Sequence, residues 1–576
     1  TTTRSARTPS RPPGGRALRG GVGVLIAALI LGPIAAGLWE SARAALGILP
    51  ALGAAGPSAA PLKALAAEPG ILRAALLSLW TGGAATALSV AIALGAAGAA
   101  AGRIGAGAQA RLVVPFLAIP HAALAIGLAF VLAPSGWIAR IVAPLAGWAR
   151  PPDIATVGDP AGLALIAGLV IKEVPFLLLV TFAALTQIPF ARSMAAGRAL
   201  GYGRAAVWWR VIVPALWPLI RLPVLVVLAY GVSVVDMALI LGPTTPPTLA
   251  VLVMRLYADP EAGRILTGAA GAMAQLGLVG VAAAGLWLAE RGLRRIGLRT
   301  LRAGGRGGAG GAGLAALALG AGVMGALGVA ALMALGLWSV AWRWPWPAPL
   351  PEAFSLRAWA TPGAGQALGT TLALAGGSVA AALVLAIAWL EAEDRGRIGR
   401  ARWAEGIVYL PLLVPQIAVL YGLSVQFIRA GVPPGMWAVG WAHLLFVFPY
   451  VMIALSGPWR RRDLRLDRAA AALGAGPWRR LIVLKLPVHA VPILTAAAIG
   501  VGVSVAQYLP TLLIGAGRVA TLTTEAVTLS SGSDRRVAAV HATLQAGVPL
   551  AAYLAAFAAA AAQGRNRRAL RGGIAG

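Results

Sequence analysis

The strongest constraint in this sequence is its set of apolar runs of twenty or more residues. They lie near 20–39, 70–101, 111–133, 161–185, 211–243, 264–288, 313–340, 365–390, 403–428, 437–456, 481–509 and 536–562. A helix needs about 20 such residues to cross roughly 30 Å of hydrocarbon. Inside lipid every backbone polar group must be paired within the segment, so these runs predict about twelve transmembrane helices. Only 11% of the 576 residues are charged against 59% hydrophobic, too little charge to cover a soluble surface of this size. The expected fold class is all-α integral membrane, in place of a large soluble helical protein.

The net charge of +30 would point to nucleic acid in a soluble chain. Here its placement reads as topology. The N-terminal tail holds Arg4, Arg7, Arg11, Arg16 and Arg19; the 289–312 segment holds six Arg, from Arg291 to Arg306; the 457–480 loop holds seven, including Arg460, Arg461 and Arg462. The intervening loops carry one or two each. Positive loops stay on the cytoplasmic side, so both termini are expected there, with no role for nucleic acid. The first apolar run, with basic residues before it and Ala42-Arg43-Ala44 after it, imitates a signal peptide. A retained first helix is the expectation. Cys is absent, which excludes disulfides and thiolate metal sites.

The Gly-rich stretch around Ala303–Gly313 divides the chain into two sets of six spans. The expected organisation is a basic tail at 1–19, a first half at 20–302, a linker at 303–312, a second half at 313–562 and a basic tail at 563–576. Landmarks recur in order. Leu200-Gly201 returns as Leu473-Gly474, each Gly followed thirteen residues later by Pro214 or Pro487. Pro120 precedes Gly127 by seven residues, as Pro415 precedes Gly422. Gly231–Val234 (GVSV) returns as Gly502–Val505. An even number of spans per half predicts a pseudo-twofold axis along the membrane normal, with a pathway between the halves.

Two segments carry the function: Ala195–Pro218 (AAGRALGYGRAAVWWRVIVPALWP) and Arg468–Pro492 (RAAAALGAGPWRRLIVLKLPVHAVP). Each reads as a short helix, a turn at Gly201 or Gly474, a basic-aromatic helix, and a Pro where the next span begins. Small residues before the turn admit a close partner, and Arg204, Arg210, Arg479 and Arg480 offer it charge.

This spacing resembles the EAA loop of ABC importer permeases, E-A-A-x-x-x-G followed by a Pro. Ala195, Ala196, Gly197, Gly201 and Pro214 match in the first copy; Arg468, Ala469, Ala470, Gly474 and Pro487 match in the second. The consensus Glu is Ala195 here and Arg468 there. The resemblance implies coupling helices that dock on two ATPase subunits at the cytoplasmic side, a periplasmic solute-binding protein, and no cofactor beyond ATP held by the partners. Ser233–Val251 (SVVDMALILGPTTPPTLAV) and Lys172–Phe176 (KEVPF) resemble the YnjC-type permeases, fused two-half proteins related to thiamine and ferric-iron permeases. That resemblance implies a thiamine-like solute, with ferric iron or polyamine as alternatives.

Polar residues inside the spans are the candidate translocation pathway. Asp236 lies in the fifth span, and the repeat sets Gln507 at the same place in the eleventh. A charged side chain at mid-membrane faces protein or water. Asp236 is therefore expected either to meet a cationic solute or to be satisfied by a neighbouring helix. Lys172 and Glu173 point about 100° apart on a helix, and a structural pair of Lys172 with Asp236 is expected. Gly242–Pro247 reads as a rigid turn, and Trp342–Pro351 (WRWPWPAPLP) as an interfacial aromatic belt.

Two other functions were weighed. Twelve spans in two halves also suit a secondary transporter of the major facilitator type, and Asp394–Arg400 (DRGRIGR) resembles that family's basic loop, but the doubled Gly-to-Pro pattern is then unexplained. A membrane enzyme lacks support: His121, His443, His489 and His541 are scattered. None of Lys63, Lys172 and Lys485 follows a Gly, so no Walker A loop is present.

Overall fold

The computed structural model describes residues 13–54, 56–102, 117–304, 310–396, 406, 408–532 and 534–566. Arg4, Arg7 and Arg11, linker residues 305–309 and residues 567–576 of the second basic tail lie outside it. Ten of the described helices are long and apolar enough to cross a membrane, eleven if a pair meeting at 73° is one span. The remaining expected run, 403–428, is described from residue 408, with a helix at Gln416–Arg429.

In the first half, α1 (Gly20–Ala45), α2 (Ile71–Ala100), α3 (His121–Leu132) and α4 (Leu163–Leu185) lead to the short α5 (Phe190–Ala199). After it come α6 (Arg204–Ser233), α7 (Asp236–Leu241), α8 (Leu249–Tyr257) and α9 (Ala262–Arg302). The second half repeats the order with α10 (Gly311–Val340), α11 (Ala364–Gly396), α12 (Gln416–Arg429), α13 (Met436–Arg460) and the short α14 (Leu464–Ala472). It closes with α15 (Pro477–Val488), α16 (Ala490–Val505), α17 (Leu509–Gly515), α18 (Leu522–Ser530) and α19 (Arg535–Asn566). The protein is an all-α membrane bundle of about twelve spans in two pseudo-symmetric halves.

The halves exchange their first helices. α1 packs on α12 of the second half, and α10 packs on α3 of the first. Pro120 and Pro415 cap α3 and α12, and the Gly seven residues on is the crossing point. A β-carbon on Gly422 would overlap the Gly37 carbonyl, and one on Gly127 would overlap that of Ala331. Without side chains there the backbones approach closely, which is how helices pack where lipid supplies no hydrophobic drive. Buried Glu40 of α1 fastens the first crossing by accepting from Arg429 at 2.6 Å and from Gln426 at 3.1 Å.

The two equivalent spans α6 and α16 break at matched places. α6 ends at Ser233 and α7 begins at Asp236; α16 ends at Val505 and α17 begins at Leu509. A break leaves carbonyls unpaired, and unpaired carbonyls are costly away from water. Gln275 Nε2 donates to the Val232 carbonyl at 3.1 Å. In the second half Thr523 Oγ1 donates to the Val505 carbonyl and itself accepts from Gln545 Nε2 at 2.7 Å. The starts of α8 and α18 are satisfied alike: the Leu249 amide donates to Ser78 Oγ and the Leu522 amide to Thr371 Oγ1, both at 2.9 Å.

Two more segments shape the ends of the spans. The basic stretch Arg291–Arg302 is the end of α9, a continuous 41-residue helix. Its Leu, Arg and Ile residues are adequate helix formers with no Pro to stop them. The Trp/Pro segment is held by bonds of its own. It follows strand β1 (Ala341–Arg343), which pairs with β2 (Ala353–Phe354), and it folds onto helix Trp137–Ala146. A Pro-rich chain has carbonyls but few amides to form a ladder, so side-chain donors take over. Arg140 Nη1 reaches the carbonyls of Pro345 at 2.8 Å and Ala348 at 3.2 Å, while its guanidinium lies over Trp344, 4.9 Å from the ring centre. Trp137 Nε1 donates to Pro349 and Trp346 Nε1 to Trp148.

Candidate functional site

The two loops share one backbone geometry. Gly201 has φ 82° and Gly474 φ 80°, the left-handed region where other residues are strained. The Tyr202 amide bonds back to the Gly197 carbonyl at 3.1 Å, and the Ala475 amide to that of Ala470 at 3.0 Å. This six-to-one closure ends α5 and α14 identically. Neither helix buries a residue. Ala195, Ala196, Arg468 and Ala469 are exposed, while Gly197 and Ala470 are half-buried. Gly197 stays small because a β-carbon would sit 2.5 Å from Val207. At the tip, Leu200 is 66% exposed and Leu473 88%. The chain then turns into a π-helical stretch, Trp208–Ile212 in one half and Arg480–Lys485 in the other, just before Pro214 and Pro487. Pro lacks an amide and crowds the carbonyl four residues back, so a wide turn there relieves both problems.

The charges are used differently from expectation. Arg204 is a structural tie: its Nη2 donates to the carbonyls of Gly98, Ala99 and Ala101, the last at 2.6 Å, closing the end of α2. Arg480 is paired with Asp467 at 3.3 Å. Arg479 and Arg468 are exposed. Behind the loop the halves diverge. Buried Trp208 lies against Gly98 in the first half, whereas in the second buried Lys485 binds Glu391 at 2.6 Å and Asp394 at 3.0 Å. Arg395 and Arg462 complete that cluster on the same two carboxylates.

The spans also bury polar residues. Asp236 is not in mid-helix: it opens α7 after the break and is 7% exposed. Val234, extended, and Ser233, whose hydroxyl bonds back to Ala229, end the preceding helix. The position at a helix start suits a carboxylate. Tyr230 Oη is its side-chain partner, at 3.4 Å. Gln507 occupies the matching break and accepts from Gln416 Nε2 at 3.2 Å. Lys172 does not pair with Asp236; its Nζ donates to the carbonyls of Ile119 at 2.6 Å and Leu117 at 3.1 Å. Those carbonyls precede α3 and lack intrahelical partners, which makes them the nearer acceptors. The expected roles were therefore interchanged. Glu173, not Lys172, faces the others, with its Oε1 3.9 Å from His121 Nε2. The repeat carried a signal for His121, since it follows Pro120 as Gln416 follows Pro415.

Residues 378–563 match the family of binding-protein-dependent transport system inner membrane components. The inner membrane ABC transporter permease protein YnjC of Escherichia coli K12 is 31% identical over 455 residues, 79% of this chain and 81% of that one. A putative 2-aminoethylphosphonate transport system permease, PhnV of Salmonella typhimurium, is 26% identical over 20% of this chain and 43% of its own length. The spermidine/putrescine transport system permease PotC of Escherichia coli K12 is 29% identical over 16% of this chain and 34% of its own. With a matched relative spanning most of both chains, the twelve-span bundle and its two loops have a family: the chain belongs to the binding-protein-dependent transport system inner membrane components, the permeases of ABC importers, and is a multi-pass transport protein rather than an enzyme.

Proposed function

We propose that the two loops are where ATPase subunits engage this permease, one at α5 and one at α14, with both termini and both loops in the cytoplasm. The observation that carries this is the matched pair of exposed tips. Leu200 and Leu473 stand free beside left-handed glycines on helices that bury nothing in the chain itself. A leucine so presented at two pseudo-symmetric sites suits insertion into a groove on each of two identical partners. ATP binding draws the partners together and rocks the halves, opening the pathway between them to one side and then the other. A solute-binding protein delivers the solute at the opposite end.

The solute reading is a small, thiamine-like cation. An intramembrane Asp236 supports a cationic group, and the relatives named for 2-aminoethylphosphonate and for spermidine/putrescine concern amine-bearing solutes. Ferric iron is less well supported, since no three His, Asp or Glu among the described residues are grouped to hold a metal.

The chain contains no Cys, so single-Cys variants need no prepared background. Ala196→Cys and Ala469→Cys should each cross-link to the ATPase, and an impermeant maleimide should label them only from the cytoplasmic face. Labelling from the outside would reverse the orientation, and no cross-link at either site would remove the docking assignment.

A further inference from the structure

A buried carboxylate in the interior lacks a counterpart. Glu173 is 8% exposed, and among the described residues no hydrogen bond reaches it; its nearest basic atom is the imidazole nitrogen of His121, 3.9 Å away. The adjacent Lys172 holds its ammonium on the carbonyls of Leu117 and Ile119. Among the described residues, the long contact from Tyr230 Oη is the one side-chain bond of Asp236. The ammonium nearest in sequence to these two carboxylates is thus turned away to carbonyls. A buried charge in that position is costly unless something completes it.

Two aromatic rings lie beside these carboxylates, His121 next to Glu173 and Tyr230 next to Asp236. The His121 and Tyr230 rings are 4.6 Å apart. From the second half, Tyr450 is close enough to interact electrostatically with Glu173 and Tyr230, and Tyr508 with Asp236. The pseudo-equivalents of His121 and Asp236 are Gln416 and Gln507, neutral amides bonded to each other. At these matched positions the carboxylate lies in the first half and an amide in the second.

Resting on the importer reading, we propose that Glu173 and Asp236, walled by Tyr230, Tyr450 and Tyr508, form the transit site for an organic ammonium cation, with His121 beside Glu173 in the empty protein. A ring face attracts a cation that carries its charge over a broad, weakly hydrated surface. A small hydrated metal ion would need a convergent ligand set, and the described residues contain none. Because the carboxylates come from one half and two of the tyrosines from the other, the site is complete only while the halves are together. Rocking them apart removes Tyr450 and Tyr508 and lowers affinity, which is what release requires.

The test is thermal unfolding of the detergent-purified full chain, titrated with tetramethylammonium. Tert-butanol serves as a neutral comparator of similar shape, and magnesium as a hydrated cation. Tetramethylammonium should raise the midpoint saturably and the other two should not. Glu173→Gln and Asp236→Asn should each weaken the apparent affinity by about tenfold, the loss of one close charge contact. If a carboxylate variant fails to fold, Tyr508→Leu alters the wall without changing charge and should also weaken binding. An equal response to tert-butanol, no saturable response, or full binding by the Glu173→Gln, Asp236→Asn double variant would overturn the proposal. ATPase cross-linking at Ala196 and Ala469 is scored separately, so failure of the cation site and failure of the docking reading give different results.

Discussion

Gly422 meets Gly37 backbone to backbone, so closely that a β-carbon on Gly422 would overlap the Gly37 carbonyl oxygen. The contact joins the first helix of one half to the third span of the other, and Gly127 against Ala331 repeats it in reverse. Each half is thus held by a helix of its counterpart.

At these crossings even one methyl group has no room. Gly422→Val should destabilise the purified protein by about 1–3 kcal/mol, as overpacking of a filled contact does. Gly376, whose β-carbon would meet nothing within 4 Å, provides the control. Gly376→Ala should leave stability unchanged or raise it by up to about 1 kcal/mol. Thermal unfolding in detergent reads both, and equal effects would contradict the crossing.

Arg204 and Leu200 are neighbours in sequence with separate duties. Arg204→Ala removes the donor shared by three carbonyls at the end of α2 and should cost about 1–3 kcal/mol of stability. Leu200→Asp with Leu473→Asp touches no packing within the chain. It should leave the unfolding midpoint in place and reduce co-purification of the ATPase. A stability loss from the Leu pair, with association intact, would reverse the assignment.

Lys485 sits among Glu391 and Asp394, with Arg395 and Arg462 on the same carboxylates. Breaking a buried ion pair from one side typically costs about 3–5 kcal/mol. Because two arginines remain, Lys485→Met should fall at the lower end of that range. Glu391→Gln in the same background should recover part of the loss, a coupling that a double-mutant cycle measures.

Arg140 holds the Trp/Pro segment through two carbonyl contacts on Nη1 and a ring beneath its guanidinium. Lys carries the charge but not the planar fork, so Arg140→Lys is not conservative here. Limited trypsinolysis should then cut faster after Arg343 and Arg357. An unchanged cleavage rate would show that the segment holds itself.

Spacing in the sequence reached the architecture because it reports backbone demands. Gly201 and Gly474 mark left-handed turns, Pro214 and Pro487 mark the wide turns before them, and Gly127 and Gly422 mark crossings. Long-range pairing left no such trace. That Arg204 closes α2, that Lys172 turns to Ile119, and that Glu173 lies beside His121 depend on which helices become neighbours. The helix break before Asp236 is equally hidden, because the Val232 carbonyl it frees is satisfied by Gln275, 43 positions further along the chain. Composition likewise shows the indoles around Trp342–Pro351 but not the carbonyls that Trp346 and the facing Trp137 reach.

The most direct measurement of the central claim is ATP hydrolysis by the cognate ATPase, reconstituted in liposomes with the full chain and the solute-loaded binding protein. Hydrolysis should rise when the loaded binding protein is added and return to basal in the Leu200→Asp, Leu473→Asp variant. Hydrolysis indifferent to the chain, or solute entry driven by a proton gradient without ATP, would contradict it.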